Sequence, residues 1–88
     1  MEIAGKIIEM TPVESGSSAN GSWERRQVVI RTLEQNPVTV AFTAMGRRIE
    51  ETNRFSVGSV VTIRFGVSSR KHNDKWFNDI QLWEIKEV

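Results

Sequence analysis

The chain has 88 residues with 12 cationic and 11 anionic side chains, one histidine and no cysteine. One domain is expected, burying roughly 60 to 65% of the surface of its unfolded chain. Disulfide and thiolate chemistry are excluded, and with one histidine a zinc site would need carboxylates for every other ligand, which is unusual.

In chain order, EIAGKIIEM opens with β-branched residues at Ile3, Ile7 and Ile8 and stops at Thr11-Pro12, which predicts a first strand. Residues 14–22, ESGSSANGS, are small and polar and predict a flexible loop that contributes nothing to a core. WERRQVVIRTLE then separates two faces. Val28, Ile30 and Thr32 fall on one, Trp23, Arg25, Gln27, Val29 and Arg31 on the other, so this second strand has a basic-aromatic side.

After a turn at Gln35-Asn36-Pro37, VTVAFTAM places Val38, Val40, Phe42 and Ala44 on one side of a third strand, with Thr39, Ala41, Thr43 and Met45 on the other. GRRIEETNRF loses β-propensity and predicts a helix of about two turns that needs packing to persist. VVTIRFGVSSR alternates again as a fourth strand, with Val61, Ile63, Phe65 and Val67 inward and Arg64 and Arg70 outward. Gly66 within it suggests a bend or bulge. Lys71-His72-Asn73-Asp74 predicts a hairpin turn into a fifth strand, KWFNDIQLWEIKEV. There Ile80 and Leu82 oppose Phe77, Trp83 and Ile85 in parity, so either class can face inward. Adjacent Trp76 and Phe77 point to opposite sides, and one of them is expected in the core.

Five short strands with one helix between the third and fourth form the pattern of an all-β OB-fold, a five-stranded Greek-key barrel, here a single domain over residues 1–88. The segment AFTAMGRRIEETNRFSVGSVVTIRFGVSSRKHNDKWFNDIQLWEI resembles the second half of bacterial single-stranded DNA-binding proteins. Met45-Gly46, Arg47 to Glu51 and Val57 to Ile63 take the places of that family's aromatic-glycine pair, basic-to-acidic helix and strand-opening turn. The whole chain resembles more closely a small bacterial family of OB domains without an assigned activity. The shared features are Glu2-Ile3-Ala4-Gly5-Lys6-Ile7, Trp23 at the start of strand two and Lys75-Trp76-Phe77-Asn78-Asp79 at the start of strand five. Two departures stand out: Met45 replaces a base-stacking aromatic, and the hairpin between strands four and five is shorter than in the DNA-binding proteins.

The charge pattern suits either a solvated mixed surface, which charge alone favours, or one basic face that would attract a polyanion. Residues 25–75 hold ten cations against four anions, and both flanking segments are acidic. Binding single strands without sequence preference takes a cationic groove for the backbone and aromatic faces for the bases. On an OB-fold the expected contributors are Trp23, Arg25, Gln27 and Arg31 from strand two and Thr43 and Met45 from strand three. Arg64 and Arg70 come from strand four, and Lys71, Lys75 and Trp76 from the hairpin. For Trp23, packing and ligand contact are equally open. Arg47 and Arg48 read as a solvated helix face with Glu50 and Glu51, and His72 as a surface residue.

The expected partner is single-stranded nucleic acid, DNA in preference to RNA, bound by a homo-oligomer of two or four chains. The competing reading is a protein-interaction module using open strand edges, with Val29 and Leu33 as a seam. Catalysis has no support. Glu50 and Glu51 lie among polar residues, Ser68 and Ser69 have only His72 nearby, and ESGSSANGS lacks the lysine of a phosphate-binding loop. No cofactor is implied. No apolar run reaches the roughly 18 residues of a membrane span and no charged-then-apolar leader opens the chain, so a cytoplasmic protein without membrane contact is expected.

Overall fold

A computed structural model describes residues 1–88. Its strands are β1 (Glu2–Met10), β2 (Glu14–Ser18), β3 (Gly21–Thr32), β4 (Thr39–Met45), β5 (Val60–His72) and β6 (Lys75–Glu87), with one helix, α1 (Arg48–Thr52), between β4 and β5. Hydrogen bonding runs β1-β5-β6-β4-β3-β2, and an added β1–β3 pairing closes the ring. Five strands therefore make a barrel, and β2 extends it along the edge of β3 that β1 leaves open. The pairs are antiparallel except β4–β6, a parallel contact at Thr43 and Gln81. This is an OB-fold, with β1, β3, β4, β5 and β6 as its five strands. No helix is long and apolar enough to cross a membrane.

The alternation of β3 and β4 places Val28, Ile30, Phe42 and Ala44 inside, where they meet Ile7 from β1, Val61 and Ile63 from β5, Leu82 and Ile85 from β6, and Ile49 from α1. Phe42 and Phe65 pack edge to face with centroids 5.2 Å apart. Thr32, at the end of the apolar series on β3, is also buried, and its hydroxyl accepts the Val38 N–H at 3.0 Å to close the β3–β4 turn. The helix has five residues rather than two turns and is held to the barrel by buried Ile49 and Thr52.

Several sequence expectations change. Residues 14–22 form a hairpin with the start of β3 instead of a loop: Glu14 lies opposite Arg25, Gly16 opposite Trp23 and Ser18 opposite Gly21. Its residues have low β-propensity, but the backbone ladder to β3 satisfies them without a buried side chain. The two parities of β6 are both used, because Leu82 opposes Phe65 while Glu84 opposes Arg64, leaving Trp83 as the extra residue of a bulge. Ile80 and Leu82 face inward before the bulge and Ile85 after it. Gly66 lies beside that bulge and serves as a seat: a Cβ there would come within 2.2 Å of Cζ2 of Trp83.

Beyond Gly66 the β5–β6 hairpin continues as a seven-pair arm, from Gly66–Gln81 to His72–Lys75. Val67 keeps inward parity yet is exposed, since the barrel has ended. For the same reason neither Trp76 nor Phe77 is core; they are 69% and 46% exposed. Asn73 and Asp74 close the arm with φ of 50° and 64°, the left-handed pair required by a two-residue type I′ turn.

Candidate functional site

The outer side of β3 carries Trp23, Arg25, Gln27 and Arg31, as strand alternation requires. Cross-strand register sets Arg25 beside Met45, Gln27 beside Thr43 and Arg31 beside Thr39, so six of the expected residues share one wall of the barrel. Directly paired outer residues have Cβ atoms roughly 5 Å apart, which makes this wall a continuous surface.

Trp23 sits within a layered arrangement. Its indole rests on Gly16, where a Cβ would lie 2.5 Å from Cζ2, and the Arg25 guanidinium carbon lies 4.9 Å from the ring centroid. Arg25 is in turn bound by Glu14, with Nη2 to Oε2 at 3.4 Å. The choice between packing and ligand contact is thereby narrowed: the ring is half-buried, and the exposed planar group above it is the guanidinium. A base stacked here would lie on Arg25 or displace it.

Two clefts border this wall. One, of about 620 Å³, lies between the β2–β3 hairpin and α1 and is lined by Trp23, Met45, Arg47 and Asn53 together with Glu24 and Glu50. The other, of about 270 Å³, has only polar walls, including Thr11, Glu14, Arg25, Gln27, Thr43 and Asp79. Arg26, whose parity turns it away from the outer wall, braces the base of the second cleft. Its Nε donates to the Thr11 carbonyl at 3.0 Å and its Nη1 to Asn53 Oδ1 at 2.7 Å. Neither Arg26, Arg47 nor Asp79 was expected in the site. Asp79 could not be assigned to the outer side while the parity of the fifth strand was open, and Arg26 required knowledge of where α1 docks.

Arg47 and Arg48 are exposed, as a solvated helix face requires, but neither forms an ion pair with Glu50 or Glu51, and a different partner is found for Arg48. Its Nε donates to the Trp83 carbonyl at 3.1 Å, fastening α1 to the bulge. The bulge exposes that carbonyl, which is the reason a helical arginine finds a partner there.

The arm divides the remaining residues. Arg70 opposes Phe77 and His72 opposes Lys75 on the side continuous with the outer wall, while Lys71 opposes Trp76 on the reverse side. Arg70 reaches Asp79 at 3.7 Å and Lys71 reaches Asp74 at 3.9 Å, both exposed pairs of the kind worth about 0 to 1 kcal/mol. Arg64 is not brought to the wall. It lies between Glu2 of β1 and Glu84 of β6, and β5 neighbours neither β3 nor β4.

Among solved structures, the fold is similar to that of a small single-stranded DNA-binding protein from Streptomyces coelicolor. The TM-score is 0.53 at 17% identity, covering 100% of this chain and 92% of the other. No curated protein matches the chain in sequence. One family covers residues 2–86, nearly the full length, and the chain belongs to it: the family described as Domain of unknown function (DUF3127).

Proposed function

We propose that the protein binds single-stranded nucleic acid, DNA in preference to RNA, through the outer wall of β3 and β4 and the adjoining arm, without chemistry and without sequence preference. The observation that carries this reading is the convergence of Arg25, Gln27, Thr43 and Met45 on one barrel wall, flanked by an arm with Arg70, Lys71, Lys75 and two exposed aromatics. Cations neutralise the backbone and planar groups stack on bases, so sequence tolerance follows from the residue types. The Streptomyces coelicolor protein, a binder of single-stranded DNA with a similar fold, is consistent with this use of the barrel. Assembly as a homo-oligomer of two or four chains belongs to the same proposal.

Each phosphate neutralised on a single strand adds about −0.7 to the salt slope, so the five cations Arg25, Arg31, Arg70, Lys71 and Lys75 would give a slope of about −3.5. Titrating the intrinsic tryptophan fluorescence with oligo-dT at low and high salt tests the reading. Quenching at low salt that weakens with added salt is expected. A folded protein with no quenching at low salt rejects it and favours the protein-interaction module, for which the open outer edge of β2 and both edges of the arm are available.

A further inference from the structure

The β5–β6 arm is two-sided, and each side repeats the same composition. On one side Arg70 stands directly across from Phe77; one residue along, on the other side, Lys71 stands directly across from Trp76. All four are exposed, and both aromatics lie beyond the barrel core that buries Leu82 and Ile85. A hairpin serving one groove would need its cation-aromatic pair on the groove side only, with the reverse side polar or packed. Here the reverse side carries the more exposed of the two rings and a lysine whose only anionic neighbour is the fully exposed Asp74.

We infer that the arm holds two segments of single-stranded nucleic acid at once, one on each side, so that a single chain bridges two strands or two parts of one strand. The inference rests on the function proposed above and extends it from one bound segment to two. The occupant follows from charge complementarity: each side offers a cation for phosphate next to a ring for a base, the two elements that single-strand binding combines. The arm spans roughly 23 Å, seven pairs at about 3.3 Å each, enough for a few nucleotides on either side. Its turn does not obstruct passage from one side to the other, because Asn73 and Asp74 close it in two residues.

The experiment uses the full chain with two pools of short oligo-dT, about eight nucleotides long to match a single-fold site, one labelled with a donor dye and the other with an acceptor. Anisotropy reports binding, and energy transfer reports two strands on one particle. The wild type is expected to show both, with two strands bound per chain at saturation. Lys71→Ala/Trp76→Ala and Arg70→Ala/Phe77→Ala are each expected to reduce the count to one and to cut energy transfer at least about fivefold, the loss of one stacked base. Lys71→Glu, which leaves both rings in place, is expected to act in the same direction as the first pair. Anisotropy without energy transfer in the wild type overturns the two-sided arm and leaves the proposed function standing. Energy transfer that survives Lys71→Ala/Trp76→Ala assigns the bridging to subunit assembly and also overturns it. Absence of any anisotropy change removes the proposed function and this inference together.

Discussion

In the β2–β3 hairpin the tryptophan is seated: Trp23 rests on Gly16 under an arginine that Glu14 holds. At the base of the β5–β6 arm Trp83 also lies over Gly66 but stays 47% exposed, no more covered than Phe77 at 46%, whereas Trp76, toward the tip, is 69% exposed. Glycine opposite an indole supplies a flat backbone surface for the ring, and the contact removes apolar area from water without a core. Where that partner is missing, the ring keeps its apolar faces exposed at a cost of roughly 25 cal/mol for each Å² not buried. The difference separates Trp23, half-buried on the barrel's flank, from Trp76, held ready for a partner.

Breaking a seat should distinguish the two regions most strongly. Gly66→Val puts a side chain into the Trp83 indole at the bulge where Arg48 fastens α1, so a loss of about 1 to 3 kcal/mol is expected, read as a lower urea midpoint. Gly16→Val displaces Trp23 at a solvent edge where the ring can swing outward, and should cost less than about 1 kcal/mol. Equal losses at the two glycines would mean that the β2–β3 hairpin is as integral to the barrel as the base of the arm.

The next effect is electrostatic and spans both regions. Arg25, Arg31 and Arg70 replaced together by alanine should reduce the magnitude of the salt slope by about 2, three phosphate contacts at about 0.7 each. Arg25 and Arg70 already engage Glu14 and Asp79 at 3.4 and 3.7 Å, so each must exchange a carboxylate for a phosphate. A full reduction indicates that the exchange occurs; a reduction of about 0.7 assigns the contact to Arg31, whose cross-strand neighbours are Lys6 and Thr39.

Strand alternation made the β3 and β4 walls readable, down to Thr32 inside and Met45 outside, because neither strand contains a bulge. The same rule could not settle β6: one extra residue at Trp83 switches the parity of everything after it, and its presence depends on the register with β5. Nor could it find β2, whose small polar side chains leave no periodic trace and whose ladder is made by backbone alone. The seats of Trp23 and Trp83 depend on glycines that strand pairing brings near, Gly16 directly opposite Trp23 and Gly66 beside the bulge at Trp83, seven and seventeen positions away in the chain. Parity also placed Trp76 and Phe77 on opposite sides of their strand, while the burial of one of them failed because sidedness says nothing about where a barrel stops.

Trp76→Ala tests the unseated class directly. With its ring 69% exposed, the change should leave stability within about 0.5 kcal/mol by urea titration, yet weaken oligo-dT binding by about 1 kcal/mol or more through loss of a stacked base. A stability loss matching the binding loss would show that the ring packs on the arm and belongs with Trp23 and Trp83.

The smallest effect is expected at the residue that stands out most in the sequence. His72 is the single histidine, lies beside Arg70, Lys71 and Phe77 at the end of the arm, and borders a shallow cleft with them. The turn that follows it is set by the left-handed conformations of Asn73 and Asp74, and the arm's ion pairs join Arg70 to Asp79 and Lys71 to Asp74. His72→Ala therefore removes neither a turn determinant nor an ion-pair partner, and both stability and oligo-dT affinity should stay within about 0.5 kcal/mol of the wild type. If that substitution alone abolished binding, the arm would have to act through a specific imidazole contact, and the distinction between seated and projecting aromatics would not be what organises this surface.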